Sequence, residues 1–361
     1  MKKLYFVLPT LNIGGIERVS IDLMKYLKDY YEIHLVVLNL DDESFDLPKG
    51  IILHNLEVSR ARYSYNVLKN FFKQHRNNTV ISPVTYTTII LSFYKKYIYK
   101  LISIEHGLVS CRFHDTKNLF YKSIYLILLK NSLKKIDYFI FVSESVQDDW
   151  KRYLKYDFNE SEVIYNLIDF DLIDKMKLLK HNIQLEKNKF RFLSVGRLSF
   201  EKNINLSLKA VSLFRKNNNL DFEYMIVGDG PERLNLLDFI KLNNLEKNVR
   251  VCGFDRNPYK YMNCSDLIIL TSYHEALPTV IIESLYLGMK VVGTYPLGGI
   301  KDIVNGTDGV FLIYEYEAKY ISEKLKIAIE YSHDVNKNRS LMRERFGKDI
   351  ILEKYINILE G

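Results

Sequence analysis

Glu275 and Glu283 bracket the run Glu-Ala-Leu-Pro-Thr-Val-Ile-Ile-Glu, directly after the apolar stretch Asp266-Leu267-Ile268-Ile269-Leu270-Thr271-Ser272. The apolar stretch reads as a buried strand, and a helix is expected to start near Pro278. Glu275 then falls in the strand-to-helix loop, and Glu283 lies about one and a half turns inside the helix. Carboxylates over the carboxyl end of a parallel sheet accept hydrogen bonds from hydroxyl groups, so the pair suits a polyhydroxylated ligand divided between ribose and hexose. It suits equally a helix N-terminus whose dipole favours acids.

Cations occur in a matching place. Ser194-Val195-Gly196-Arg197-Leu198-Ser199-Phe200-Glu201-Lys202-Asn203 follows a strand; Gly196 permits a tight turn, and Arg197 and Lys202 put two positive charges before a helix. Fixed charge beside helix N-terminal amides suits a diphosphate, although a solvated basic loop has the same composition. Ile226-Val227-Gly228-Asp229-Gly230-Pro231 is a strand running into a glycine turn that could admit a ligand close to the backbone. It lacks the full dinucleotide fingerprint, which argues against a nicotinamide enzyme. Pro9-Thr10-Leu11-Asn12-Ile13-Gly14-Gly15-Ile16-Glu17-Arg18 and Gly298-Gly299-Ile300-Lys301-Asp302 repeat the strand, glycine and helix order. Ile102-Ser103-Ile104-Glu105-His106-Gly107 sets a histidine at a strand's carboxyl end. There its ring can bond a sugar hydroxyl or a reacting oxygen, though a lone histidine is commonly structural.

The elements that must hold these residues alternate along the chain. Strands are expected at 4–8, 33–38, 79–82, 101–105, 138–142 and 162–165, then at 190–195, 224–227, 249–252, 267–270, 290–292 and 310–312. Apolar residues at helical spacing mark 16–27, 206–215 and 233–242. Such alternation means parallel sheets with right-handed crossovers. At 361 residues the chain is long enough for two domains. The alternation pauses at 169–189, where Asp169, Asp171, Asp174, Lys175, Lys177, Lys180, Lys187 and Lys189 dominate. The expected organisation is a first Rossmann-like domain at 1–168, a linker at 169–189, a second at 190–345, and a terminal helix at 346–361. That helix either packs back on the first domain or is a plain terminal helix. The start, Met-Lys-Lys-Leu-Tyr-Phe-Val-Leu-Pro, has too short an apolar core for a signal peptide and reads as a first strand. Cys111, Cys252 and Cys264 have neither metal-ligand nor disulfide spacing, which points to a reducing compartment.

In this order and spacing the chain resembles the family 4 retaining glycosyltransferases of the GT-B fold, bacterial surface-glycan type. The matching residues are Gly14-Gly15, His106, Arg197 with Lys202, Gly228 to Pro231, Glu275 with Glu283, and Gly298-Gly299. The resemblance implies an α/β architecture of two Rossmann-like domains whose parallel sheets face a central cleft, the first domain binding acceptor and the second donor. It implies that Arg197 and Lys202 hold the donor diphosphate and stabilise it as leaving group, with Glu283 on the ribose and Glu275 on the transferred sugar. His106 would contact the donor sugar near the reaction centre, and Gly15 would line the phosphate site. Gly14, Gly196, Gly230, Ala276, Leu277, Pro278 and Thr279 complete the implied donor site. The co-substrate is a nucleotide sugar, uridine diphosphate being preferred, with no metal and no other cofactor. Departures from the family pattern are Asn203 for a glycine, Tyr165-Asn166-Leu167 for an Asn-Gly turn, Lys290 for a proline and Asp302 for a glutamate.

Charge is unevenly spread. Between Arg60 and Lys135 fourteen cations oppose only Glu105 and Asp115, whereas the whole chain carries +7. Aromatic residues, among them Tyr63, Phe71, Phe72, Tyr94, Phe120 and Tyr121, are interleaved with them. That composition suits an anionic membrane surface, each near-surface cation adding about 1 kcal/mol. It also fits core aromatics with solvated lysines, or nucleic-acid binding. With the resemblance, a peripheral position on the inner face of the cell membrane and a glycan or polyprenyl-diphosphate-linked acceptor are expected, and no nucleic acid. The competing readings are a nucleotide-sugar epimerase of the same architecture and a non-catalytic membrane or nucleic-acid binding protein.

Overall fold

The computed structural model describes the chain apart from residues 13, 41–46, 59–62, 114–117, 181–182, 184–188 and the side chain of Phe113. Ile13, Arg60, Arg62, Asp115, Lys117 and Lys187 therefore lie outside the described residues. The chain forms two compact units, one of residues 1–167 with 349–361 and one of residues 168–348.

The first unit runs β1 (Lys3–Leu8), α1 (Gly15–Leu27), β2 (Glu32–Val37), β3 (Ile52–Asn55), α2 (Ser64–Gln74), β4 (Asn78–Ser82), α3 (Thr85–Ser92), β5 (Ile98–Glu105), α4 (Leu119–Leu133), β6 (Tyr138–Phe141), α5 (Glu144–Leu154) and β7 (Ser161–Val163). Its parallel sheet has the order β3-β2-β1-β4-β5-β6-β7. The order reverses between β1 and β4, and ligands of doubly wound sheets bind over the strand ends at such a point. Val7, Val36, Val80 and Leu101 are fully buried. Consecutive residues of these strands, Phe6 with Val7 on β1 and Val80 with Ile81 on β4, are buried alike, as in a sheet covered on both faces.

The second unit runs α6 (Phe170–Met176), β8 (Phe190–Val195), α7 (Ile204–Asn217), β9 (Phe222–Val227), α8 (Arg233–Leu242), β10 (Val249–Gly253), α9 (Tyr259–Met262), β11 (Leu267–Leu270), β12 (His274–Glu275), α10 (Thr279–Leu287), β13 (Lys290–Thr294), β14 (Leu297–Gly298), α11 (Ile300–Val304), β15 (Val310–Ile313), α12 (Ala318–Glu330) and α13 (Val335–Phe346). Six strands pair in the order β10-β9-β8-β11-β13-β15, while β12 and β14 form a separate two-stranded sheet. The reversal here lies between β8 and β11. Phe192, Phe214 and Phe222 pack as a buried triangle beneath β8, with centroids 5.3 to 5.6 Å apart. Each contributes about 1.5–3 kcal/mol of burial.

All twelve expected strands occur, within three residues at their ends. The edge strand β3 and the short β12 and β14 were not expected. Ile52 and Leu53 on β3 are exposed, so that strand shows no apolar run against a polar face. The charged stretch from 169 is not an unstructured connector at its start. Asp169 caps α6 by accepting from the Leu172 amide, and Lys348 and Arg343 bind Asp169, Asp171 and Asp174. The acids that read as linker are thus paired within the second unit. The last helix, α14 (Lys348–Glu360), joins the first unit from Asp349 onward, where Lys100 donates to the Ile358 carbonyl at 2.6 Å.

Candidate active site

The loops after β8 and β11 meet at the reversal of the second sheet. Lys202 ends the short helical turn Phe200–Lys202, and its ammonium stands 2.6 Å from Glu275 Oε1. Ser272 donates to the same oxygen at 2.7 Å. Thr271, whose hydroxyl donates to the Asn203 carbonyl at 2.9 Å, ties the two loops together at their base. Glu275 is not in an open loop as expected; its backbone belongs to β12, pairing with Gly298, and its side chain is mostly buried. Sequence alone did not mark Ser272 or Thr271, because hydroxyls at the end of a strand carry no distinctive spacing.

Asn203 has φ +48° and ψ +41°, between the Phe200–Lys202 turn and α7. A left-handed residue is required there, which glycine provides freely and asparagine tolerates. The departure at Asn203 therefore preserves the turn that presents Lys202. Arg197 lies in the same loop and is exposed.

The glycines of this site serve packing of loop on loop. A Cβ on Gly228 would lie 1.8 Å from the Gly196 carbonyl oxygen, and one on Gly230 would lie 2.4 Å from that of Leu198. Gly298 is confined likewise, 1.9 Å from the Glu275 carbonyl oxygen. The Cβ positions of Gly228 and Gly230 face the loop that carries Arg197, so these turns bring backbone against backbone. A Cβ on Gly196, which has φ +150°, would meet Lys202 Cε first, at 3.8 Å, so this glycine faces the lysine stem.

Glu283 lies deeper. It is 1% exposed, five residues into α10, and Tyr259 on α9 donates to its Oε1 at 3.1 Å. Ala276 to Pro278 lead into α10, whose first residue is Thr279 and whose N-terminus has no side-chain cap. Leu277 is buried and Ala276 and Thr279 are half-buried. The unit thus brings Lys202 and Glu275 into direct contact, whereas Glu283 is bonded to Tyr259.

In the first unit, Gly14 precedes α1 without a side-chain cap, and a Cβ at Gly15 would meet none of the described residues within 4 Å. His106 follows β5 and is half-buried; burial holds its imidazole down to about 4, so it is neutral at ordinary pH. Its loop is fixed onto α5, with Trp150 donating to the Gly107 carbonyl at 2.9 Å and the Ser110 amide donating to Asp149 at 3.1 Å. Beside it Glu105 is buried and accepts from Ser103 at 2.6 Å and Thr85 at 2.7 Å. Burial pushes its carboxyl up to about 7 against these hydrogen bonds and the nearby Arg112.

Two doubly wound units, the second with a lysine–glutamate pair over its reversal point, form the architecture of GT-B glycosyltransferases. Residues 13–172 match the Glycosyltransferase Family 4 model and residues 176–348 the Glycosyl transferases group 1 model. The chain is 30% identical, over 88% of its length and 87% of the relative's, to N-acetylgalactosamine-N,N'-diacetylbacillosaminyl-diphospho-undecaprenol 4-alpha-N-acetylgalactosaminyltransferase of Campylobacter jejuni. It is 25% identical, over 83% and 81% of the two lengths, to UDP-Gal:alpha-D-GlcNAc-diphosphoundecaprenol alpha-1,3-galactosyltransferase of Escherichia coli. Its fold matches Anabaena HepE in complex with UDP-glucose at a TM-score of 0.80 and 18% identity, covering 100% of each chain. The chain belongs to the family 4 glycosyltransferases.

Proposed function

We propose that this glycosyltransferase moves a sugar, with retention at its anomeric carbon, from a uridine-diphosphate sugar to a lipid-linked glycan in bacterial surface-polysaccharide synthesis. The observation that carries the reading is the Lys202–Glu275 pair at 2.6 Å over the reversal of the second sheet. Relatives named for diphospho-undecaprenol acceptors and a UDP-galactose donor, and a fold neighbour holding UDP-glucose, support the donor and acceptor classes.

On this reading Lys202 and Arg197 take the donor diphosphate, and their charge stabilises the negative charge that builds on the leaving oxygen without a metal ion. Glu275, released from Lys202, accepts hydroxyls of the transferred sugar, and Glu283 accepts those of the ribose. Gly14, Gly15, Gly196, Gly230 and the 276–279 segment border the donor, and neutral His106 contacts its sugar. As the bond from the anomeric carbon to the diphosphate oxygen breaks, the acceptor oxygen bonds to that carbon on the same face. The acceptor's proton passes to the departing phosphate.

On this reading the enzyme works at a membrane surface, and α4 has the matching composition. Leu119, Phe120, Tyr121, Ile124 and Ile127 are exposed on it, with Lys130 and Lys134 at its end. Much of the remaining basic and aromatic stretch is structural. Phe72 and Tyr94 are core, and Lys95 is paired with Asp137 at 2.8 Å.

The test is a transfer assay with a panel of uridine-diphosphate sugars and a polyprenyl-diphosphate saccharide, read by mass spectrometry of the product. Transfer by the wild type and its loss in Lys202→Ala, with the folded circular-dichroism spectrum retained at the assay temperature, is the expected result. An epimerised donor formed without acceptor would overturn the assignment.

A further inference from the structure

Beside the lysine–glutamate pair the second unit carries an exposed set of aromatic rings with no part in the transfer chemistry. Phe200, two residues before Lys202, is 65% exposed, and its ring lies 5.3 Å from that of Tyr273, two residues before Glu275. Tyr273 stacks on Tyr316, which follows β15, at 5.1 Å and an interplanar angle of 27°. A second stacked pair, Tyr295 and Tyr314 at 5.0 Å, follows β13 and β15, and Tyr314 is 74% exposed. All five rings thus stand on segments that follow strands of one sheet.

The ledge is fixed rather than loosely draped. The Tyr273 amide donates to the Glu201 carbonyl at 2.9 Å, and the Tyr273 carbonyl accepts from the Leu297 amide at 3.0 Å. The Tyr316 hydroxyl reaches the carbonyls of Ser272 at 3.1 Å and Tyr273 at 3.2 Å. Ser272 also bonds Glu275, so one residue braces both the ledge and the ion pair.

Exposed aromatic area of this kind calls for an occupant. The neighbouring charges help select it: Glu315 and Glu317 are exposed on either side of Tyr316, Lys319 is paired to Glu317 at 3.3 Å, and the exposed Glu201 is the acid that faces Arg197 and His274. Carboxylates repel anionic lipid and accept hydrogen bonds from hydroxyls, and aromatic faces pack against the C–H face of a sugar ring. We infer that Phe200, Tyr273 and Tyr316 form a saccharide subsite that takes a neutral pyranose ring of the acceptor glycan. The inference rests on the transferase reading and adds to it a site for acceptor sugar outside the donor residues.

Saturation-transfer NMR on the full chain with saturating uridine diphosphate tests it, using methyl α-D-glucopyranoside and methyl N-acetyl-α-D-galactosaminide as probes. Irradiating the aromatic protons is expected to saturate pyranose C–H signals, with at least a fivefold loss in Phe200→Ala and recovery in Phe200→Trp. Signals unchanged in Phe200→Ala, or absent from the wild type, would overturn the subsite. Sedimentation with phosphatidylglycerol vesicles that depends on Phe200 would also overturn it, assigning the ledge to lipid. In transfer assays Phe200→Ala should raise the acceptor KM about tenfold and leave the donor KM unchanged; a rise confined to the donor KM overturns the acceptor assignment. The thermal shift given by uridine diphosphate separates the two levels: its absence in the wild type fails the transferase reading, while the saturation signals report on the ledge itself.

Discussion

Lys202 Nζ and Glu275 Oε1 are 2.6 Å apart, joining the loops after β8 and β11 where the second sheet reverses its strand order. With Ser272 on the same oxygen, the carboxylate is held by a cation and a hydroxyl at once. A charge-assisted bond of this length is strong, and Glu275 is mostly buried, so losing either partner leaves the other poorly compensated. The two groups assigned to opposite parts of the donor thus orient one another without it. On the proposed reading, donor binding exchanges one ion pair for two new contacts, diphosphate on lysine and sugar hydroxyl on glutamate.

Lys202→Ala and Glu275→Gln are each expected to lower kcat/KM by about 10²–10³, the usual effect of removing one electrostatic stabiliser. Because the residues touch, the double variant should lose less than the product of the single losses. Steady-state kinetics on all four proteins gives the coupling directly, and strictly multiplicative losses would count against it.

The glycines separate packing from ligand contact. Gly228 has φ +147° with the Gly196 carbonyl in the way of any Cβ, so Gly228→Ala should destabilise the second unit by about 1–3 kcal/mol or more. Among the described residues nothing lies within 4 Å of a Cβ at Gly15, so Gly15→Ala should leave stability unaltered and weaken uridine-diphosphate binding if its amide borders the phosphates. Denaturant titration and calorimetric binding distinguish the two; a stability loss at Gly15 matching that at Gly228 would refute the distinction.

The parallel sheets and the order of the site residues were legible in the sequence for one reason. Strands such as Leu267–Leu270 are buried on both faces and read as apolar runs, with glycine, cation or acid placed directly after them. The edge strand β3 was not, because Ile52 and Leu53 are exposed and nothing in their pattern demands pairing. Glu275 and Glu283 looked alike in sequence and differ in place. Glu275 meets a lysine seventy-three residues away in the chain, and Glu283 meets Tyr259, whose partnership no local spacing announces. Asn203 looked like a departure until its left-handed backbone showed which property of glycine it shares.

Glu105 and His106 respond to pH in opposite directions. The Glu105 carboxyl stands at about 7 rather than 4.5, so the folded protein keeps a proton that the unfolded chain releases. Its contribution is present below about 4.5 and is lost as pH rises through 7. His106 stands at about 4 rather than 6.5, so its contribution is present above 6.5 and is lost as pH falls towards 4. Between pH 5 and 8, Glu105→Gln should flatten the loss of stability towards the alkaline side, and His106→Gln the loss towards the acid side. Urea unfolding across this range measures both, and a wild-type slope that Glu105→Gln leaves intact would contradict the first.

The cations of the first unit divide into structural and available ones, which gives the membrane reading a sharp test. Lys95 bonds Asp137 and the carbonyls of Ile98 and Tyr99, and Lys100 caps α14 at the Ile358 carbonyl. Neutralising Lys95 or Lys100 should therefore lower melting temperature and change vesicle binding little. On α4, Phe120 is 75% exposed and Ile127 is also exposed, and burying either side chain in lipid contributes about 1.5–3 kcal/mol. Phe120→Asp with Ile127→Asp should cut co-sedimentation with anionic liposomes by at least tenfold at unchanged melting temperature. Lys130→Gln with Lys134→Gln should weaken it less and remove part of its salt dependence, since each cation adds only about 1 kcal/mol at the surface. Equal binding by wild type and the α4 double aspartate variant would show that this helix is not the membrane face.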